Sequence, residues 1–399
     1  MSFQKLNCLL MLLFLFQMGE GQSHITNLPE ATIFTTEEGL SQTRINCTFN
    51  DSYGFLWLGT SDGLNRYDGY KFKIFRNQPF EKSSISNNFV NCIAEDSSGN
   101  LWIGTSNGMN KYHRESGEFF QYLYNNKSEG GLKSRSVSSI MIDEDGLVWF
   151  KTKGYLQNLN PETGKFNSYS HSSDNLTGNQ LYNDPEIIKD ISGLIWFGTN
   201  KGLFFFDPET KITEHFFHDP LDPSSISDNK ILTIYEDHKG GIWVGTSNGL
   251  SKYDRIRRAF QRFYPTHHFL GDGQENSINS ICEDSEHNLW LATNSGLSYF
   301  DKRSSRFINY RRLYVNKSKI KIPHQKSAVI DQSDILWVGG FQGLLKIDLK
   351  PKKFQTLSSM PNSFPELTSE IVSSIFLDQN NNLWVGIWNS GLDIVDPER

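Results

Sequence analysis

The sequence predicts an all-β chain, a β-propeller of four-stranded antiparallel blades, and three observations carry that prediction. Eight tryptophans, Trp57, Trp102, Trp149, Trp196, Trp243, Trp290, Trp337 and Trp384, recur at spacings of 45 residues once and 47 residues six times. Six residues ahead of each stands an aspartate: Asp51, Asp96, Asp143, Asp190, Asp237, Asp284, Asp331 and Asp378. Three residues ahead stands Gly54, Gly99, Gly146, Gly193 or Gly240, then His287, Asp334 and Asn381, the non-glycine types that best tolerate a left-handed backbone. Periods of about 40 to 50 residues with strand-like content mark propeller blades. Eight such periods fill residues 37–399, which leaves no room for a separate domain of another kind.

Each element of a repeat follows from its residues. In the second copy "FVNCIAED" is a first strand, "SSGN" a turn, "LWIGT" a second strand, "SNG" a turn, "MNKYH" a third strand and "GEFFQYLY" a fourth. An aspartate opening a turn whose fourth residue is left-handed is a hairpin signature. The first strand is apolar on both faces, with Ile93, Ile140, Ile187, Ile234, Ile281 and Ile375 on one and Ala94, Met141, Ile188, Tyr235, Val329 and Phe376 on the other. Such a strand is covered on both sides, as when blades pack sheet against sheet. The tryptophans are expected to fill the space between blades. The aspartates before them are expected to cap their own turns rather than form a metal or acid–base array, as are Asp68, Asp207, Asp254, Asp301, Asp348 and Asp396 after the third strand.

Ahead of the repeats, Lys5, the apolar run Leu6 to Phe16 and Gly19-Glu20-Gly21 before Gln22 read as a secretory signal peptide over residues 1–21. The run is shorter than the roughly 20 residues a membrane span needs, and no second one follows. Cys8 precedes the run, where a lipidated cysteine would follow it. The mature chain is therefore expected to be periplasmic or secreted, without a membrane span. Residues 22–36 are an N-terminal segment supplying a closing strand. The eighth repeat offers "EIVSSIFLD", "NLWVGIW" and "GLDIVD" but no fourth strand, and Ala31 to Thr35 is positioned to complete that blade. This gives a single eight-bladed ring. The alternative is a seven-bladed ring followed by the start of a second propeller.

The copies "FLWLGTSDGLNRYDGYKF", "LWIGTSNGMNKY", "LIWFGTNKGLFFFD", "IWVGTSNGLSKYD" and "NLWLATNSGLSYFD" resemble the two-component regulator propeller repeat. The opening "FTTEEGLSQTRINCTFNDSYGFLWLGTSDGLNRYDGYKF" is similar to the start of the periplasmic sensor region of bacterial hybrid two-component sensor histidine kinases. Three copies depart from the pattern, at Lys151, at Gly340-Phe341-Gln342 and at Ile387-Trp388-Asn389. The resemblance implies a non-catalytic periplasmic sensing propeller of a signal-transduction system, here without its kinase modules, that recognises oligosaccharides from complex glycans. It also implies a homodimer as part of a sensor kinase. The alternative is a stand-alone exported propeller acting as a lyase or hydrolase, or as a protein-interaction scaffold.

Composition narrows the partners. With 39 basic and 45 acidic residues the net charge is −6, which excludes a nucleic-acid binder relying on a basic field. Hydrophobic residues at 37% exclude a disordered chain. No catalytic residue, cofactor or metal site is assigned: His171, His215 and His218 fall at fourth strands or just after them, and His267-His268 has no Cys, Asp or Glu at ligand spacing. Cys47 and Cys92 occupy equivalent positions in neighbouring blades, and packed sheets about 10 Å apart cannot be bridged by a disulfide. With Cys282 they are expected to be buried thiols. Strand alternation puts the turns between second and third strands on one face of the disc together with the blade-to-blade connections. That face carries the variation, so ligand binding is expected at Lys151, Lys153, Lys201, Phe341, Gln342, Trp388 and Asn389, where an aromatic ring beside amides and cations suits a sugar.

Overall fold

The computed structural model describes residues 30–125, 130–170, 186–265, 276–315, 318–350, 367–369, 371–379 and 382–395. The signal-peptide segment and the histidines at 171, 267 and 268 lie outside them. The chain divides into two units, one ending at Asp348 and one running from Leu349, each described here by itself.

In the first unit the repeats fold as four-stranded antiparallel sheets. The first blade comprises Ile45–Asn50, Leu56–Thr60, Gly63–Tyr67 and Phe72–Phe75, and the five that follow repeat its order. The tryptophan turn is built as the spacing predicts. The Oδ1 of Asp51 accepts the Tyr53 and Phe55 amides at 3.0 and 2.8 Å, and Gly54 takes φ of 86°. His287 and Asp334 take φ of 66° and 58° at the same position. The second oxygen does something the spacing did not reveal: it accepts the indole N–H of the tryptophan six residues on, at 2.7 Å for Asp51 and Trp57 and 2.6 Å for Asp190 and Trp196. One buried carboxylate therefore closes its turn and fixes the largest core side chain of its blade.

The tryptophans lie between blades. Trp57 packs with Ile85, Val90, Ile93 and Tyr112 of the next sheet, and Trp196 with Ile226, Ile231 and Tyr253. A second series joins blades electrostatically at the same turns. Arg114 reaches back to Asp51 at 2.9 Å and holds Glu95 at 3.1 Å, Arg255 reaches Asp190 at 2.8 Å, and Lys302 reaches Asp237 at 3.1 Å and Glu283 at 2.6 Å. The thiols pack against glycines of the second strand, where a Cβ on Gly59 or Gly104 would collide with the sulfur of Cys47 or Cys92. Burial pushes the Cys47 thiol up to about 12. No disulfide joins the described cysteines, Cys47, Cys92 and Cys282.

Ring closure differs from the eight-bladed expectation. The N-terminal strand Glu30–Phe34 pairs antiparallel with Leu344–Asp348, the third strand of the seventh repeat, in the register Ala31 to Ile347 through Phe34 to Leu344. Arg312–Val315 pairs parallel with its other edge. The inner strand of the seventh blade, Gln325–Ile330, then meets that of the first: the Thr48 amide donates to Ser327 Oγ at 2.9 Å, and Ile45 packs at Gly339. Seven blades close the circle, so the same N-terminal strand cannot complete the eighth.

The second unit holds one three-stranded sheet, Val372–Leu377, Leu383–Ile387 and Gly391–Val395. Its hairpin repeats the signature, with Trp384 donating to Asp378 at 2.9 Å. Leu367, Val385, Ile387 and Val395 form its small core.

Candidate ligand-binding site

In the first unit every inner strand except the short Ile188–Lys189 of the fourth blade carries a β-bulge at its second residue, between Ile45 and Cys47, Val90 and Cys92, and Gln325 and Ser327 among others. A bulge re-aims one side chain per blade. Asn46, Asn91, Leu232, Asn279 and Lys326 thereby line an axial channel of about 540 Å³. Three of the asparagines belt the blades together by donating to the next inner strand, at 2.9 Å to Val90, 2.8 Å to Val137 and 2.7 Å to Gln325. Glu186 also lines the channel, and burial raises its carboxyl above the usual range.

The residue before each inner strand stands two positions ahead of the bulged one, on the connection side. There the chain places Arg44, Phe89, Ser136, Lys230, Ser277 and His324. The turn between second and third strands of the seventh blade brings Phe341 to the same place. Its ring has the Arg44 guanidinium 4.9 Å from its centroid, the Lys326 ammonium 5.7 Å away and the His324 ring 5.4 Å away. Burial first, then the charges of Arg44 and Lys230, push the Lys326 ammonium down to about 8.

The expected site residues separate into three groups. Phe341, 41% exposed, belongs to this cluster, with Gln342 exposed beside it. Lys153 and Lys201 are exposed in the corresponding turns of the third and fourth blades. Lys151 departs from the expectation: it is only 4% exposed, and its Nζ donates to the Gly198 carbonyl at 2.7 Å, joining blades. Trp388, 63% exposed, and Asn389, with φ of 59°, form the matching turn of the second unit. The expected set leaves out Arg44, Lys230, Lys326 and His324, which stand at the starts of inner strands rather than in the turns between strands. The available signal was that Arg44, Lys230 and His324 share one repeat position.

On the opposite face, His238, Glu283 and His287 bring their ligating atoms within 4.8 Å of one another. Glu283 Oε1 there already takes Lys302 at 2.6 Å and His238 Nδ1 at 2.6 Å, while the His238 amide donates to Oε2 at 2.9 Å. The Ser52 amide makes the same bond to Glu95. The cluster is the inter-blade latch of the fifth and sixth blades.

The two component regulator propeller family matches this chain over residues 39–62, 84–107, 225–248, 272–295 and 366–389. The chain resembles that family over those five stretches. Over 53 residues, 13% of this chain and 4% of the relative, it is 51% identical to Histidine kinase P4 of Formosa agariphila. Among solved structures, the extracellular domain of a hybrid two component system from B. thetaiotaomicron superposes with a TM-score of 0.74 at 26% identity. That likeness covers 94% of this chain and 48% of the domain, so the repeat chain spans about half its length. A streptogramin B lyase shares the fold at 14% identity and a TM-score of 0.59, over 80% of this chain and 97% of the lyase. Among the described residues no helix is long and apolar enough to cross a membrane.

Proposed function

We propose that this chain is the non-catalytic sensing region of a two-component signalling system, exported to the periplasm, and that it recognises an oligosaccharide at the connection face of the seven-bladed ring. The likeness to the B. thetaiotaomicron extracellular domain supports the sensing role. The observation that carries the ligand class is the half-exposed Phe341 ring, bordered by Arg44, Lys326 and His324 at the channel mouth. Aromatic faces pack against the C–H faces of sugar rings, and amides and cations at the rim satisfy their hydroxyls. Lys153, Lys201 and Gln342 stand in turns of the same face and extend the surface. In the second unit, Trp388 and Asn389 offer the same chemistry at the turn of what we read as the first blade of a second propeller.

Titration calorimetry of the mature chain against neutral and acidic oligosaccharides tests the reading. Binding of at least one oligosaccharide is expected, with a loss of about tenfold or more in Phe341→Ala, the scale of one removed aromatic contact. No binding across the panel, or affinity unchanged in Phe341→Ala, overturns it.

A further inference from the structure

We propose that the axial channel is a binding subsite for a hydroxyl-rich end group, the terminal unit of the oligosaccharide held at the mouth, and that Glu186 is the acceptor that selects it. The inference rests on the oligosaccharide reading for the length of the ligand; the subsite itself follows from where the repeat is broken.

Four residues ahead of the turn aspartate, six of the seven inner strands of the ring carry a small side chain: Cys47, Cys92, Ser139, Thr233, Ser280 and Ser327. Three of these tie blade to blade, since the Ser139, Ser280 and Ser327 hydroxyls accept the amides of Ile187, Ala328 and Thr48 at 2.8, 3.1 and 2.9 Å. The fourth blade puts the longer Glu186 at that position. Its side chain is exposed, and the space it faces is the channel. Its charge is felt by the Cys47 and Cys282 thiols of the first and sixth blades, which do not adjoin the fourth. The carboxyl therefore stands out toward the axis rather than between neighbouring sheets. Among the described residues nothing donates to it, and burial alone sets it above the usual carboxyl range.

The groups that share the channel leave acceptors over as well. Asn46 and Asn91 spend their amide NH2 groups on the Val90 and Val137 carbonyls, and their Oδ1 atoms take no donor from the described residues. Thr233 lines the channel from the next blade, 2% exposed, with its methyl against Gly245 and its hydroxyl buried without a hydrogen-bond partner. Buried polar atoms are seldom left so. A ligand that donates repeatedly completes this set, and a sugar hydroxyl can donate to Glu186 while accepting from Thr233. An ammonium would need the ionised form of Glu186, the form that burial disfavours; a hydroxyl bonds to either form. The volume of about 540 Å³ is that of a small-molecule site, roughly 300–1,000 Å³.

The test is titration calorimetry of the full mature chain with neutral trisaccharides, maltotriose, cellotriose, xylotriose and mannotriose, and with glucose, xylose and mannose. Glu186→Ser restores the residue that other inner strands carry, and Thr233→Val keeps the side-chain shape without the hydroxyl, so both are expected to melt with the wild type. At least one trisaccharide is expected to bind, losing about tenfold or more in Glu186→Ser and a smaller factor in Thr233→Val. Its monosaccharide is expected to bind in the millimolar range with the same dependence on Glu186. A trisaccharide that weakens in Phe341→Ala but binds both channel variants as it binds the wild type overturns the subsite and leaves the oligosaccharide reading standing. Monosaccharide binding that is lost in Glu186→Ser, with no trisaccharide bound, sustains the subsite and overturns the oligosaccharide reading. No binding by any of these sugars overturns both.

Discussion

The seventh and eighth repeats share one signature and end in different states. In the seventh, Trp337 is 5% exposed and bonded to Asp331 at 2.8 Å, and its sheet takes the N-terminal strand as fourth member. In the eighth, Trp384 makes the same bond to Asp378, yet Ile375, Phe376 and Leu377 of its inner strand are 67%, 66% and 57% exposed. The aspartate–tryptophan hairpin is thus local and forms wherever the motif occurs. Burial of a blade is not local, because it requires a neighbouring sheet on each side and a fourth strand at the edge. The three described strands of the eighth repeat keep their hairpins while much of the apolar area that stabilises a blade stays exposed on them.

That contrast can be sharpened by equivalent substitutions in the two regions. Trp196→Ala removes a fully buried indole shared by the fourth and fifth blades and is expected to cost the ring about 3–5 kcal/mol by denaturant unfolding. Trp384→Ala is expected to leave the ring's transition where it is. A comparable loss from both would contradict the separation of the repeats.

A smaller effect isolates the carboxylate beneath the tryptophan. Burial opposes ionisation of Asp237, but the Trp243 indole, the Gly241 amide and Lys302 outweigh it and bring its carboxyl down to about 2. A folded value below the unfolded one near 3.9 means stabilisation that is complete above about pH 4 and lost as pH falls toward 2. Asp237→Asn is expected to cost about 1–3 kcal/mol at neutral pH, since the Trp243 and Lys302 partners lose a charged acceptor. The difference from wild type should shrink between pH 4 and 2. A difference that stays constant through that window would remove Asp237 from the acid response.

Much of this architecture was legible in the residues. The 47-residue period, the hairpin at each tryptophan, the small cysteine sites and the two faces of the disc all follow from repeat positions that recur in chain order. The partner of the N-terminal strand was not legible, because Glu30–Phe34 is an ordinary outer strand that fits the edge of any third strand. What decides its place is curvature accumulated over seven blades, which brings Ser327 to Thr48. The channel lining was hidden for a related reason. A period-two reading of the inner strand assigns Asn46, Asn91 and Lys326 to an ordinary face, whereas the bulge turns them to the axis. Lys151 misled in the opposite direction, since a lysine in place of the usual glycine reads as a surface variation but folds as a buried tie to Gly198.

The most direct test of the closure is a cysteine cross-link. Thr32 lies opposite Lys346 in the closing pair, at a cross-strand spacing of about 5 Å that a disulfide can span. In a Thr32→Cys/Lys346→Cys variant, mild oxidation followed by peptide mass spectrometry is expected to recover the two strands joined. A Thr32→Cys/Asp393→Cys variant, which probes the third strand of the eighth repeat, is expected to remain reduced. The opposite pattern, a cross-link to residue 393 and none to residue 346, would contradict the seven-bladed ring and restore closure through the eighth repeat.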